Sequence, residues 1–157
     1  MPARIPTQSL TSALVIVALL LTTRDSPAIG QVQYVESAAS AGSFTLAQPG
    51  AAANLYVDAN DWPGVARAAQ DLSRDVARVT GITPTIAHNE QTPGANVAII
   101  GTIGKSALID RLIREKKFDP TPLTGKWEAS LIQVVKQPLP GVESALVIVG
   151  SNKRGTI

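Results

Sequence analysis

The stretch "NVAIIGTIGKSALIDRLIR" (residues 96–114) decides the fold. Its first six residues, Asn96 to Gly101, form a short apolar run, as in a strand covered on both faces. A glycine turn follows, and Ser106 stands where a hydroxyl caps a helix. Leu108, Ile109, Leu112 and Ile113 then recur at helical spacing, which gives that helix one apolar face. Strand, tight turn and amphipathic helix in this order point to an α/β architecture. The same layout opens a phosphate-binding P-loop, which requires Gly-x-x-x-x-Gly-Lys-Ser/Thr. Gly104, Lys105 and Ser106 match its end, but Ile99 occupies the place of the first glycine. The turn from Gly101 to Gly104 is also too short to wrap a phosphate with successive backbone N–H groups. A tight βα turn with a serine cap is expected, and no nucleotide partner.

Upstream, "FTLA" (44–47) and "NLYVD" (54–58) are strand candidates. A helix then starts after Asn60 or Asp61, either of which can cap it, with Pro63 in its first turn. Ala66, Ala69, Leu72, Val76 and Val79 supply its apolar face. Arg67, Asp71, Arg74, Asp75 and Arg78 fall mainly on the other side, with Arg67–Asp71 and Asp75–Arg78 at ion-pair spacing. Gly81 is placed to end it. "TPTIA" (83–87) is a strand, and "HNEQTPGA" (88–95) is a turn. Downstream, Lys116 and Lys117 suit the end of the second helix electrostatically. "FDPTPLTGK" (118–126) is a proline-rich connection. "WEASLIQVV" (127–135) and "ALVIVG" (145–150) are strands, separated by the turn "KQPLPGVES" (136–144). The order is about β-α-β-β-α-β-β. It predicts a small mixed-sheet α/β sandwich with two helices, whose strand order the sequence leaves open.

Residues 1–30 belong to a different class. Arg4 gives a weakly positive start, and Ala13–Leu21, "ALVIVALLL", is unbroken apolar sequence. That run is about half of the ~20 residues that span a bilayer. Ala28 and Gly30 suit cleavage before Gln31, so a secretory signal peptide is expected. The protein would then be extracellular, with no membrane attachment after cleavage. Residues 31–43 form a flexible lead-in, 44–150 the α/β domain, and 151–157 the start of a link to a further segment. "GSNKRGTI" opens a new element after a buried strand, so the sequence reads as a fragment of a longer protein. Without Arg4, Arg24 and Asp25, the formal charge falls from +2 to +1. Near-balance and the lack of a basic cluster with interleaved aromatics give no support for a nucleic-acid partner. With no cysteine, disulfides play no part.

No constellation inside these residues carries catalysis. His88, the single histidine, lies in a polar turn, where neither a metal site nor a triad has partners. No metal and no cofactor are expected. Asp58 and Asp61 flank a strand-to-helix turn, where capping and turn formation account for them. Asp71 and Asp75 lie on a solvated helix face, and Glu128 follows Trp127 at a strand start. Trp62 and Trp127 are expected at a core edge or an interface, with ligand contact as the alternative. Lys153 and Arg154 follow the last strand, where α/β folds place ligands. Two cations there can meet a carboxylate, arginine doing so bidentately.

Taken together, "NDWPG" (60–64), "GTIGKS" (101–106), "GKWE" (125–128) and "GSNKRGT" (150–156) resemble, in this order, the N-terminal domain of glycoside hydrolase family 115. The resemblance covers about residues 44–157. It implies an enzyme that removes glucuronic acid or its 4-O-methyl ether from xylan by inverting hydrolysis, without a cofactor. In that family an α/β accessory domain precedes a (β/α)₈ barrel that carries the catalytic carboxylates. None of those carboxylates has a counterpart here, so this stretch alone is expected to be inactive. The resemblance also implies that the domain docks on the barrel, and that the parent enzyme takes glucuronoxylan or aldouronic acids. Lys153 and Arg154 are the candidate substrate-binding residues. The alternative is a non-catalytic module that binds carbohydrate or protein.

Overall fold

The computed structural model describes residues 35–89 and 94–157. The signal peptide expected over 1–30, the first part of the lead-in and part of the turn at 88–95 lie outside the described residues. The chain divides into two units, Met1–Ser37 and Ala38–Ile157. Of the first, Val35, Glu36 and Ser37 are described, and all three are exposed.

The second unit is a small α/β domain. Its elements are β1 (Ala47–Gln48), β2 (Ala51–Ala52), β3 (Asn54–Val57), α1 (Pro63–Thr80), β4 (Ile86–Ala87), β5 (Asn96–Thr102), α2 (Ala107–Arg114), a 3₁₀ turn (Thr121–Leu123), β6 (Ser130–Lys136), β7 (Ser144–Gly150) and α3 (Lys153–Thr156). Strands β1 and β2 form a small antiparallel hairpin. The other five form one sheet in the order β4-β3-β5-β7-β6. All pairs in it are parallel except β6 with β7. From β3 to β7 the order of strands and helices is the one expected. The four-residue helix α3 is an addition.

Alternation along the parallel strands builds two cores. Tyr56, Ile99 and Val147 turn to the α2 side, with Leu108, Ile109, Leu112 and Phe118. Val57 and Ile100 turn to the α1 side, with Val65 and Ala69. The continuous apolar runs of β5 and β7 follow from this double coverage.

Helix α1 ends on Gly81 at φ +75°, the left-handed cap expected there. Its start departs from expectation. Trp62 is the N-cap, and neither Asn60 nor Asp61 gives a side-chain capping bond. The buried face is Val65, Ala69, Ser73 and Val76, while Val79 is 85% exposed. Ser73 takes its place in the core because its hydroxyl donates to Pro84 O at 3.0 Å. Asp71 pairs with Arg74 rather than Arg67, and Asp75 pairs with Arg78 as spaced. Helix α2 keeps the buried face expected of it and closes without a glycine. Lys116 adopts φ +56°, and Lys117 N–H reaches back to Leu112 O at 2.9 Å. That is the Schellman arrangement, carried by a lysine.

Coverage of the sheet is unequal. On the α1 side, Ile148 lies opposite Ile132, and Leu146 opposite Val134. Ile132 is 49% exposed, and the other three are half-buried. One helix therefore leaves an apolar half-face over β7 and β6.

Candidate functional site

Chain connections diverge at the carboxyl ends of β3 and β5: β3 leads through α1 to β4, whereas β5 leads through α2 and β6 to β7 on the other side. Such a switch point is where open α/β sheets form a ligand crevice. Here the crevice is filled by the protein's own polar side chains. Asp58 Oδ1 accepts from Asn60 N–H at 2.9 Å, and its Oδ2 accepts from Ala107 N–H, also at 2.9 Å. Asp61 Oδ1 accepts from Trp62 N–H and its Oδ2 from Thr102 N–H, both at 2.7 Å. The hydroxyls of Thr102 and Thr156 are 2.8 Å apart, and Thr156 also donates to Asn152 O at 2.9 Å. Asp58, Asp61, Thr102 and Thr156 are all buried. The two aspartates do hold turns, as expected, but Asp58 serves the helix after the neighbouring strand. Its carboxylate sits on the positive end of α2, beside the Ser106 hydroxyl that accepts from Ile109 N–H.

This geometry explains the glycine turn. A phosphate would need the free amides at the start of α2, and Asp58 already holds the first of them. A Cβ on Gly101 would stand 2.7 Å from Ser106 Cβ and 2.8 Å from Ile109 Cγ1, so helix and strand approach too closely for any side chain. Gly104, at φ +74°, turns the chain, and its N–H donates to Asp110 Oδ1 at 2.9 Å. Lys105 Nζ lies 4.5 Å from the centroid of the Trp62 ring, a cation–π contact rather than a phosphate ligand.

The outer surface of the same sheet edge gathers the other candidates. Asn152 caps α3, accepting from Arg154 N–H and Gly155 N–H. Gly155 packs so closely on Ala129 O that a Cβ would collide with it. Lys153 Cε lies near Gly64 in the first turn of α1. Arg154 Nη1 donates to Glu128 Oε1 at 2.9 Å, and Trp127 Nε1 donates to the same oxygen at 2.9 Å. Lys153 and Arg154 thus sit at the carboxyl end of β7, as expected, though Arg154 already has a carboxylate partner. Trp62 is 37% exposed and Trp127 80%, so Trp127 anchors no core. The strand expected from Trp127 begins only at Ser130, because Glu128 adopts φ +53°. No sequence signal marked Glu128 as the hub of this cluster; its role depends on Arg154, twenty-six positions on.

His88 does not join the site: its Nδ1 lies 3.0 Å from Val57 O. Among the described residues, no three His, Cys, Asp or Glu side chains converge as metal ligands would. A groove of about 530 Å³ runs beside α2, walled by Ile103, Ile113, Leu123, Arg114, Lys126 and Ser151.

No protein-family model matches the chain, and no curated protein does. Among solved structures, it is similar to a family GH115 4-O-methyl-α-glucuronidase with specificity for decorated arabinogalactans. The identity is 28% and the TM-score 0.54, over 70% of this chain. The matched part spans 12% of that enzyme's length. The chain is therefore related in fold and sequence to one domain-sized portion of a glycoside hydrolase.

Proposed function

We propose that this chain is the N-terminal accessory domain of a secreted α-glucuronidase that removes glucuronic acid, or its 4-O-methyl ether, from xylan by inverting hydrolysis. The carrying observation is the 28% identity to a GH115 glucuronidase over 70% of the chain. The site geometry agrees with an accessory role. Asp58 and Asp61, the buried carboxylates of the crevice, have their oxygens committed to backbone N–H groups. A glycosidase pair must instead face each other across a scissile bond. The reacting acids then belong to a (β/α)₈ barrel elsewhere in the parent polypeptide. The apolar half-face over β7 and β6 is available for docking on it. Lys153 and Arg154 favour the anionic substrate electrostatically.

The test is expression of the parent polypeptide and assay of uronic-acid release from aldouronic acids, glucuronoxylan and decorated arabinogalactan. Release from the xylan substrates, with inversion followed by proton NMR, is expected. Release from arabinogalactan alone would replace xylan as the substrate. No release from any of the three would sink the proposal.

A further inference from the structure

Trp127, Glu128 and Arg154 form a unit that packing alone does not require. An 80% exposed indole contributes little to a core. Yet its N–H is fixed by Glu128 Oε1, which is held in turn by Arg154 Nη1. Glu128 keeps a left-handed backbone, at φ +53°, that non-glycine residues rarely adopt. Just before Trp127 the chain borders the groove beside α2. Lys126 lines the groove, as does Ser151, which bonds to Ala129 through both its hydroxyl and its N–H. Ile103, Ile113 and Leu123 give that groove an apolar lining, to which Arg114 and Lys126 add two cations. Asp110, on the same wall, has one oxygen committed to Gly104 N–H. An oriented, solvent-facing aromatic next to a cation-bearing groove suits a ligand with apolar CH faces and a carboxylate. A groove of about 530 Å³ accommodates a short oligosaccharide.

We infer that Trp127 and the adjoining groove form a binding site for an acidic oligosaccharide on this domain. A pyranose ring stacks on the indole, and the neighbouring cations Lys126, in the groove, and Arg154, bonded to Glu128, offer donors to the uronate carboxylate. The ligand class rests on the proposed function, whereas the site itself rests on the geometry.

The test is titration of the chain with aldotetraouronic acid, with xylotetraose as the neutral control, followed by the indole N–H signals in ¹H–¹⁵N NMR. Saturable shifts of the Trp127 signal with the acidic sugar are expected, and weaker binding of the neutral one. Trp127→Ala should weaken binding at least about tenfold. Arg154→Ala should remove most of the preference for the acidic sugar. Circular dichroism and the melting temperature check that both variants fold, and Trp127→Phe, which keeps a ring, should retain part of the affinity. Three results would each overturn the site: no saturable shift up to about 10 mM sugar, full affinity in Trp127→Ala, or Arg154→Ala with its acidic preference intact. The uronic-acid assay of the parent polypeptide reads the proposed function separately, since release can occur without this site and binding without release.

Discussion

At the residue scale, Asp58 is the most consequential polar side chain. It lies 7% exposed at the end of β3 and accepts from the first amide of α2, forty-nine positions away. It also accepts from Asn60 N–H in its own turn. One carboxylate thus joins two βα units across the switch point. Asp58→Ala leaves both amides without that acceptor, which should cost about 2 kcal/mol. Asp58→Asn keeps one side-chain carbonyl and should cost about half as much. Urea unfolding at an unchanged m-value checks both. An alanine variant as stable as the parent would show that water replaces the carboxylate. Gly101 is the complementary case, in which a side chain must be absent. Its backbone is ordinary strand, and the helix start leaves no space for a Cβ.

At the scale of elements, the connection from α2 to β6 is set by short-range polar bonds. Asp119 Oδ1 accepts from the Thr121 hydroxyl at 2.6 Å and from Thr121 N–H at 2.9 Å. These bonds, the hydroxyl first, hold the Asp119 carboxyl below the ordinary aspartate range. A carboxyl whose pKa is lower folded than unfolded stabilises the fold above its unfolded value. That contribution is lost as pH falls through the depressed folded value. Thr121→Val removes the hydroxyl donor and keeps the amide. The Asp119 midpoint, followed by NMR of its carboxyl carbon, should move up toward the ordinary range. An unmoved midpoint would assign the depression to something other than the hydroxyl. Nearby, Glu115 is lowered chiefly by its hydrogen bond from Lys117, and the Lys117 ammonium also reaches Pro138 O at 3.1 Å. The end of α2 is thereby tied to the loop before β7.

At the scale of the whole molecule, the unequal coverage of the sheet is the dominant feature. Helix α1 closes one side over β4, β3 and β5. The half-buried Leu146, Ile148 and Val134 and the exposed Ile132 lie beyond it. Leu72, on the flank of α1 opposite Ser73, packs against the same cluster as Ile148. Among the described residues, strand β6 is also an edge of the sheet. The isolated chain should therefore self-associate as its concentration rises. Ile132→Lys places a charge on both the half-face and the edge and should lower that association, as read by sedimentation velocity. Its stability should change by no more than about 0.5–1 kcal/mol, because Ile132 is half exposed. Unchanged association in Ile132→Lys would remove this surface as the cause.

The sequence by itself determined the run of elements from β3 to β7, the tight turn at Gly101–Ser106 and the buried face of α2. These depend on periodicity and on chain-local sterics, which a few neighbouring residues specify. It placed Val79 on the apolar face of α1, and the structure puts it at the surface; for Trp127, expected at a core edge or an interface, the exposure excludes the core edge. The apolar stripe of α1 gives a direction, but the width of sheet beneath it decides which flank is covered. Trp127 looked like strand until Glu128 turned left-handed beside Arg154. Only the tertiary structure set the order β4-β3-β5-β7-β6, gave the amide at the start of α2 to Asp58, and joined Trp127, Glu128 and Arg154. Each of these pairs groups far apart in the chain, and their meeting depends on how strands stack in the sheet, which no local pattern encodes.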